Sequence, residues 1–191
     1  VFDESRTNGE ASVVKDEANN CWYVVVMGER YRPDYNTVDV RHILIAPEEN
    51  TLSADDEGYD AETETNNAAA KEKAQDVLNK YLAGAHTADA FGELAKEYSS
   101  DSNASEGGLY TQVYKGQMVD AFENWCFDAN RNPGDTGIVE TTYGYHVMYF
   151  QGENLPYWEV RCINGLYSDW QDSIYDGANA KVHTFGLKAV G

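Results

Sequence analysis

Residues 38–45 read Val-Asp-Val-Arg-His-Ile-Leu-Ile (VDVRHILI). Val38, Val40, His42 and Leu44 alternate with Asp39, Arg41, Ile43 and Ile45. That period-two pattern, rich in β-branched residues, predicts a strand. Towards its end both faces are apolar, apart from one histidine.

Downstream, residues 46–66 carry eight carboxylates and no Lys or Arg. This composition predicts a solvated, mobile loop. Ala70, Ala74, Val77, Leu78, Tyr81 and Leu82 then recur at helical spacing, with Gly84 as a stop. Phe91, Leu94, Ala95 and Tyr98 predict a second helix, with Thr87 as its N-cap. Residues 99–108 (SSDSNASEGG) read as a loop. Leu109–Tyr114 is a short strand, and Met118, Phe122 and Trp125 or Cys126 fit a short helix. Asn132-Pro133-Gly134 is a turn. Residues 137–140 and 145–151 are strands, with Tyr143-Gly144-Tyr145 a β-turn and strand start rather than a ligand site. Strand, helix, helix, strand, helix, strand, strand is an α+β order with a small, mainly antiparallel sheet.

Two flanks remain. In the tail, Trp158, Cys162, Leu166, Trp170 and Ile174 fall four apart and predict a helix whose apolar face needs cover. Lys181–Val190 reads as a final strand. Upstream, Phe2–Arg6 resembles Phe127–Arg131, Gly9-Glu10 matches Gly134-Asp135, and Val13-Val14 matches Ile138-Val139. With one inserted residue, Trp22–Glu29 lies opposite His146–Glu153, which sets Trp22 in the place of His146. Residues 1–36 therefore read as a partial, degenerate repeat of two strands. Residues 37–153 read as the main domain and 154–191 as an extension of helix and strand. A true repeat implies a natural chain extending upstream of Val1.

The chain of 191 residues has a formal net charge of −19, with 14 Tyr, 6 Phe and 4 Trp. It is long enough for one core and too aromatic for a wholly disordered chain. The acidic field repels nucleic-acid phosphates and anionic lipid headgroups and favours neutral or cationic partners. Cys21, Cys126 and Cys162 form no CxxC motif and read as small buried hydrophobes. No run is long enough to span a bilayer.

Three polar positions stand out for chemistry: His42, Asp101 and His146, with Tyr110, Met118 and Phe122 around them. In order along the chain, RHILI (41–45), AFGELAKEYSSD (90–101), Gly107-Gly108, KGQMVDAFENWCF (115–127) and TTYGYHVMYF (141–150) resemble the parvulin family of peptidyl-prolyl isomerases. The resemblance implies a parvulin-like (FKBP-like superfold) α+β fold. Its four-stranded, mainly antiparallel sheet carries helices, and here also an N-terminal β segment and a C-terminal helical tail. It implies that His42 and His146 are paired on adjacent central strands, that Asp101 holds the family's Cys/Asp position, and that Thr141 supports the histidines. Met118, Phe122, Tyr110 and Gln117 would bind substrate. No covalent step, metal or cofactor is required.

There are departures. Tyr110 stands in a proline-pocket position often held by Leu. The loop after the first strand is acidic where phospho-specific members are basic, so phosphoserine–proline specificity is not expected. The histidines either act in catalysis or simply order the sheet; a two-histidine, one-carboxylate metal site is the weaker reading. Extra segments around the unit resemble extracytoplasmic bacterial foldases, which implies unfolded proline-containing clients and, in a full-length protein, a possible lipid anchor. A catalytically weak chaperone or client-binding module of a larger surface protein is the alternative.

Overall fold

A computed structural model of the chain describes residues 5–29 and 31–177. It divides into two compact units between Asp34 and Tyr35. The smaller is a two-stranded antiparallel hairpin, β1 (Ala11–Asp16) and β2 (Cys21–Val26).

The larger unit holds β3 (Asn36–Ile45), α1 (Tyr59–Leu82), α2 (Ala88–Tyr98), β4 (Leu109–Val113), α3 (Asp120–Cys126), β5 (Thr136–Thr141), β6 (Gly144–Pro156) and α4 (Tyr157–Gly177). Its sheet runs β4-β3-β6-β5, every neighbour antiparallel. The α+β order and the four-stranded sheet are those the sequence predicts.

Because side chains alternate across a strand, the sheet builds two cores. Ile43, Ile45, Tyr145, Val147 and Tyr149 face α1 and α2, packing on Ala70, Ala74, Val77, Tyr81, Phe91 and Ala95. Val38, Val40, Val113, Val139, Met148 and Phe150 face the other way, onto Phe122 and Cys126 of α3. The apolar runs of β3 and β6 follow from this double cover.

Several predictions from sequence need correction. The acidic run 46–66 is a loop only to Gly58; Tyr59–Asn66 open α1. Asp60 and Glu62 suit a helix N-terminus, where the dipole favours negative charge. Glu62 also accepts hydrogen bonds from the Thr51 amide and hydroxyl and the Leu52 amide, tying the loop to the helix. Residues 104–106 form a 3₁₀ turn inside the predicted loop. β6 continues to Pro156, paired with Asn36, so divisions at 36/37 and 153/154 cut through paired strands. Of the cysteines only Cys126 is buried, its thiol pushed up to about 12 by burial; Cys162 is exposed.

The tail helix forms, but Leu166, Trp170 and Ile174 of its predicted face stand exposed, and Val160 is its buried residue. Tyr157 anchors the helix by stacking on Tyr35 at 5.1 Å and donating its amide to the Tyr35 carbonyl. Lys115 caps this cluster, 5.1 Å from the Tyr35 ring. The predicted strand Lys181–Val190 lies outside the described residues.

Gly108 fixes the site-bearing strand. Its φ is +66°, and its carbonyl accepts the His42 amide at 2.9 Å. A Cβ there would collide with the His42 carbonyl oxygen. Gly108→Ala should cost roughly 2 kcal/mol or more, since both the positive φ and the clash penalise it. Urea unfolding monitored by fluorescence checks this.

Candidate active site

β3 and β6 are in register so that His42 lies opposite Met148 and His146 opposite Leu44. The two histidines are therefore diagonal neighbours on one face, a spacing long side chains can bridge. Their Nδ1 atoms meet at 3.0 Å, in a buried setting. Only one of two facing Nδ1 atoms can donate, so the pair must hold complementary tautomers.

The surroundings select which. Thr141, at the end of β5, puts Oγ1 2.8 Å from His146 Nε2 and accepts the Tyr143 amide. Beyond His42, the nearest charged group is Asp101, whose Oδ2 is 3.6 Å from His42 Nε2. A carboxylate there favours a proton on that nitrogen. The consistent chain runs from the Thr141 hydroxyl to His146 Nε2, from His146 Nδ1–H to His42 Nδ1, and leaves His42 Nε2–H facing Asp101. At 3.6 Å this last contact falls short of a hydrogen bond, so His42 Nε2 is buried with no hydrogen-bond partner.

Both imidazoles are held neutral. Burial lowers His42, with the Asp101 charge opposing. Burial, then the neighbouring His42, lowers His146 to about 4, again against Asp101. Asp101 is itself fixed by accepting the Asn103 amide at 3.0 Å and the Tyr110 hydroxyl at 3.3 Å.

A cavity of about 230 Å³ opens over this network. Every residue predicted for the site lines it except Thr141, which supports from behind. Phe122 meets both imidazoles edge-on at 5.5 Å, and Tyr110 stacks on His42 at 5.2 Å. Met118 precedes α3 and is half-buried. Gln117 is exposed, and its carbonyl accepts the Tyr114 amide, closing the turn before α3.

Two lining residues escape the sequence reading, Val119 and Tyr143. Tyr143 lies in the β5–β6 turn and is also on the cavity rim, 63% exposed. The signal available was its position between Thr141 and His146, which obliges the turn to sit beside the site. The cavity walls are aromatic and apolar, and Asp101 is the carboxylate on its lining. The facing Nδ1 atoms are turned to each other, not to a common third point. Among the described residues no group of three His, Cys, Asp or Glu is placed to hold a metal ion.

An antiparallel sheet with this paired-histidine site defines a parvulin. The family described as the PPIC-type PPIASE domain matches residues 24–153, and the chain belongs to that family. Among similar proteins, Foldase protein PrsA 2 of Listeria innocua is 42% identical over 134 residues, covering 69% of this chain and 36% of that protein. Foldase protein PrsA of Staphylococcus epidermidis is 35% identical, covering 59% of this chain and 31% of that protein. The chain thus spans only about a third of the length of these relatives. Among solved structures, PrsA from Bacillus subtilis is 27% identical with a TM-score of 0.43, covering 75% of this chain and 45% of that one.

The neutral pair yields a pH expectation. An unfolded histidine binds a proton below about 6.5, whereas folded His146 resists until about 4. The unfolded state therefore binds more protons between these values, and stability falls as pH drops from about 6.5 towards 4. Imidazole ¹⁵N shifts should show His146 neutral at pH 6, with denaturant midpoints declining across that window. A His146 resonance titrating at its ordinary value would contradict this.

Proposed function

We propose that the chain is a peptidyl-prolyl cis-trans isomerase acting on extended, unfolded polypeptides. The observation that carries the reading is the apolar cavity of Tyr110, Met118 and Phe122 set directly against a neutral histidine pair and one carboxylate. Family membership supports it.

Rotation about an X–Pro bond faces a barrier of about 18–20 kcal/mol, although cis and trans are nearly balanced. At the top of the barrier the amide is twisted, its resonance is lost, and the prolyl nitrogen becomes pyramidal with a localised lone pair. An apolar pocket holds the ring and removes water from the planar, more polar amide. His42 Nε2–H is a buried donor without a hydrogen-bond partner, and in this reading it serves an acceptor that strengthens on twisting. Such a contact accelerates rotation only so far as it favours the twisted state. Asp101 holds that proton on Nε2. In this reading the histidines both order the sheet and present one donor.

The likeness to PrsA foldases supports an extracytoplasmic folding role. Among the described residues no helix is long and apolar enough to cross a membrane. The charge of −19 supports neutral or cationic clients over nucleic acid. The cavity lining contains Asp101 and no Lys or Arg, which argues against phosphoserine–proline substrates.

A protease-coupled assay on Xaa-Pro peptides should show acceleration. Met118→Ala and Asp101→Ala should each lower kcat/KM about tenfold or more, the equivalent of about 1.4 kcal/mol of transition-state stabilisation. No acceleration across a broad Xaa series would refute the enzyme reading. Suppression of client aggregation without isomerisation would instead establish the binding module, for which Tyr110 stacked over His42 is the favouring observation.

A further inference from the structure

The loop between α2 and β4 folds around one asparagine. Residues 101–108 read Asp-Ser-Asn-Ala-Ser-Glu-Gly-Gly. The Asn103 amide donates to Asp101 Oδ1 at 3.0 Å. The Asn103 carbonyl accepts the Glu106 amide at 3.0 Å and the Gly108 amide at 3.1 Å. Gly108 in turn gives its own carbonyl to the His42 amide. The backbone of Asn103 is therefore tied to Asp101 on one side and to the strand bearing His42 on the other.

The side chain of Asn103 lacks such partners. Its Nδ2 and Oδ1 are both buried without a hydrogen bond among the described residues, and so is His42 Nε2. Buried polar groups in folded proteins are nearly all paired, because an unpaired one gives up its hydration for nothing. Burial lowers the His42 pKa, while the Asp101 charge and then the Asn103 side chain oppose that shift. His42 Nδ1 already faces His146, so Nε2 is the nitrogen that the Asn103 amide meets. A carboxylate oxygen completes the group. The Asn103 amide and the hydroxyls of Ser102 and Tyr110 all bond Asp101 Oδ1. Oδ2 is left with its 3.6 Å approach to His42 Nε2.

Donors and acceptors in this group match in one way only. In the tautomer the pair adopts, His42 Nε2 is a donor, and Asp101 Oδ2 is an acceptor. A side-chain amide carries an acceptor oxygen beside a donor nitrogen. Turned with Oδ1 to His42 and Nδ2 to Asp101, it satisfies both of its own atoms and both of theirs. Turned the other way, it sets N–H against N–H and oxygen against oxygen. Asp101 alone does less, because at 3.6 Å it falls short of Nε2.

We propose that Asn103 is a positioning residue of this site: its side-chain amide bridges His42 Nε2–H and Asp101 Oδ2, and so holds the histidine pair in one tautomer. Asn103 does not line the cavity, so it acts through His42 and touches no substrate. The bridge gives Asp101 one orientation, with Oδ1 held by the loop and Oδ2 by the amide. It also puts a neutral acceptor against the imidazole. A carboxylate in direct contact would favour the imidazolium, which a carbonyl oxygen does far less. The bridge stands apart from the function proposed above; its effect on rate rests on that reading.

The test uses the whole chain and Asn103→Leu, which keeps the branched shape and removes both polar atoms. The backbone bonds of residue 103 survive this change, and should leucine prevent folding, Asn103→Ala reads the same quantities. Exchange of His42 Hε2 with water, followed in imidazole ¹H–¹⁵N spectra, should be about tenfold or more faster in the variant. On an Xaa-Pro peptide kcat should fall about tenfold with KM unchanged, as for a group that acts on the transition state and not on substrate binding. An amide that is merely packed predicts otherwise, since an apolar isostere then leaves exchange and kcat as they were. Unchanged exchange, or unchanged kcat in an active enzyme, overturns the inference. A chain that does not isomerise at all, yet whose Hε2 protection is lost in Asn103→Leu, keeps the bridge and removes the isomerase reading.

Discussion

Two imidazoles back to back inside a protein are an awkward arrangement, and the larger unit is organised around satisfying it. Nδ1 facing Nδ1 at 3.0 Å works only when one of the two nitrogens carries no proton, so the two rings cannot both be imidazolium. Neutrality is secured by burial, and burial requires both faces of β3 and β6 to be covered. That is why α1 and α2 pack on one side of the sheet and α3 on the other. Complementary tautomers are secured by what lies at the two ends, a threonine hydroxyl and a carboxylate. The diagonal placement depends on register, and a one-residue slip of β6 would turn His146 to the opposite face.

The same constraint explains the backbone. β3 must come close enough to the loop before β4 for the His42 amide to bond Gly108, and only glycine fits there. At the other end Gly144 adopts φ +126° against the Ile45 carbonyl, so that β6 can begin directly beside β3. Each histidine thus has a close backbone approach nearby, and each approach excludes a side chain. Rigidity at these points lets a modest cavity hold a ring against a fixed donor instead of moulding to it.

Much of this was legible in the sequence. His42 is the lone polar residue on the Val38–Leu44 face of an alternating run that reads as a strand, and the family resemblance implies that the strand is central. The ordered motifs place Asp101, Met118, Phe122, Thr141 and His146 around it. What was not legible has physical causes. Charge composition concealed the start of α1, because a run of carboxylates reads as solvated chain until Glu62 is seen clasping Thr51 and Leu52. Tyr143 reads as a turn residue, and it is one; only the closed hairpin shows that the turn overhangs the cavity. The face of α4 reads as needing cover, yet a helical stripe carries no statement of what it meets.

The likeness of the β1–β2 and β5–β6 hairpins shows the limit most clearly. Similarity between short strand–turn–strand segments is weak when judged by residue identity: Thr7 against Asn132 and Glu10 against Asp135 are different side chains. Judged by hydrogen bonds they are equivalent, because Glu10 and Asp135 each accept the amide of the residue three before and donate their own amide to its carbonyl. Sequence comparison also has to guess where an insertion falls, whereas pairing register leaves no freedom. Shifting the insertion by one residue would put every side chain of β2 on the wrong face. Backbone geometry therefore sets Tyr23, not Trp22, at the register position that His146 holds in β6.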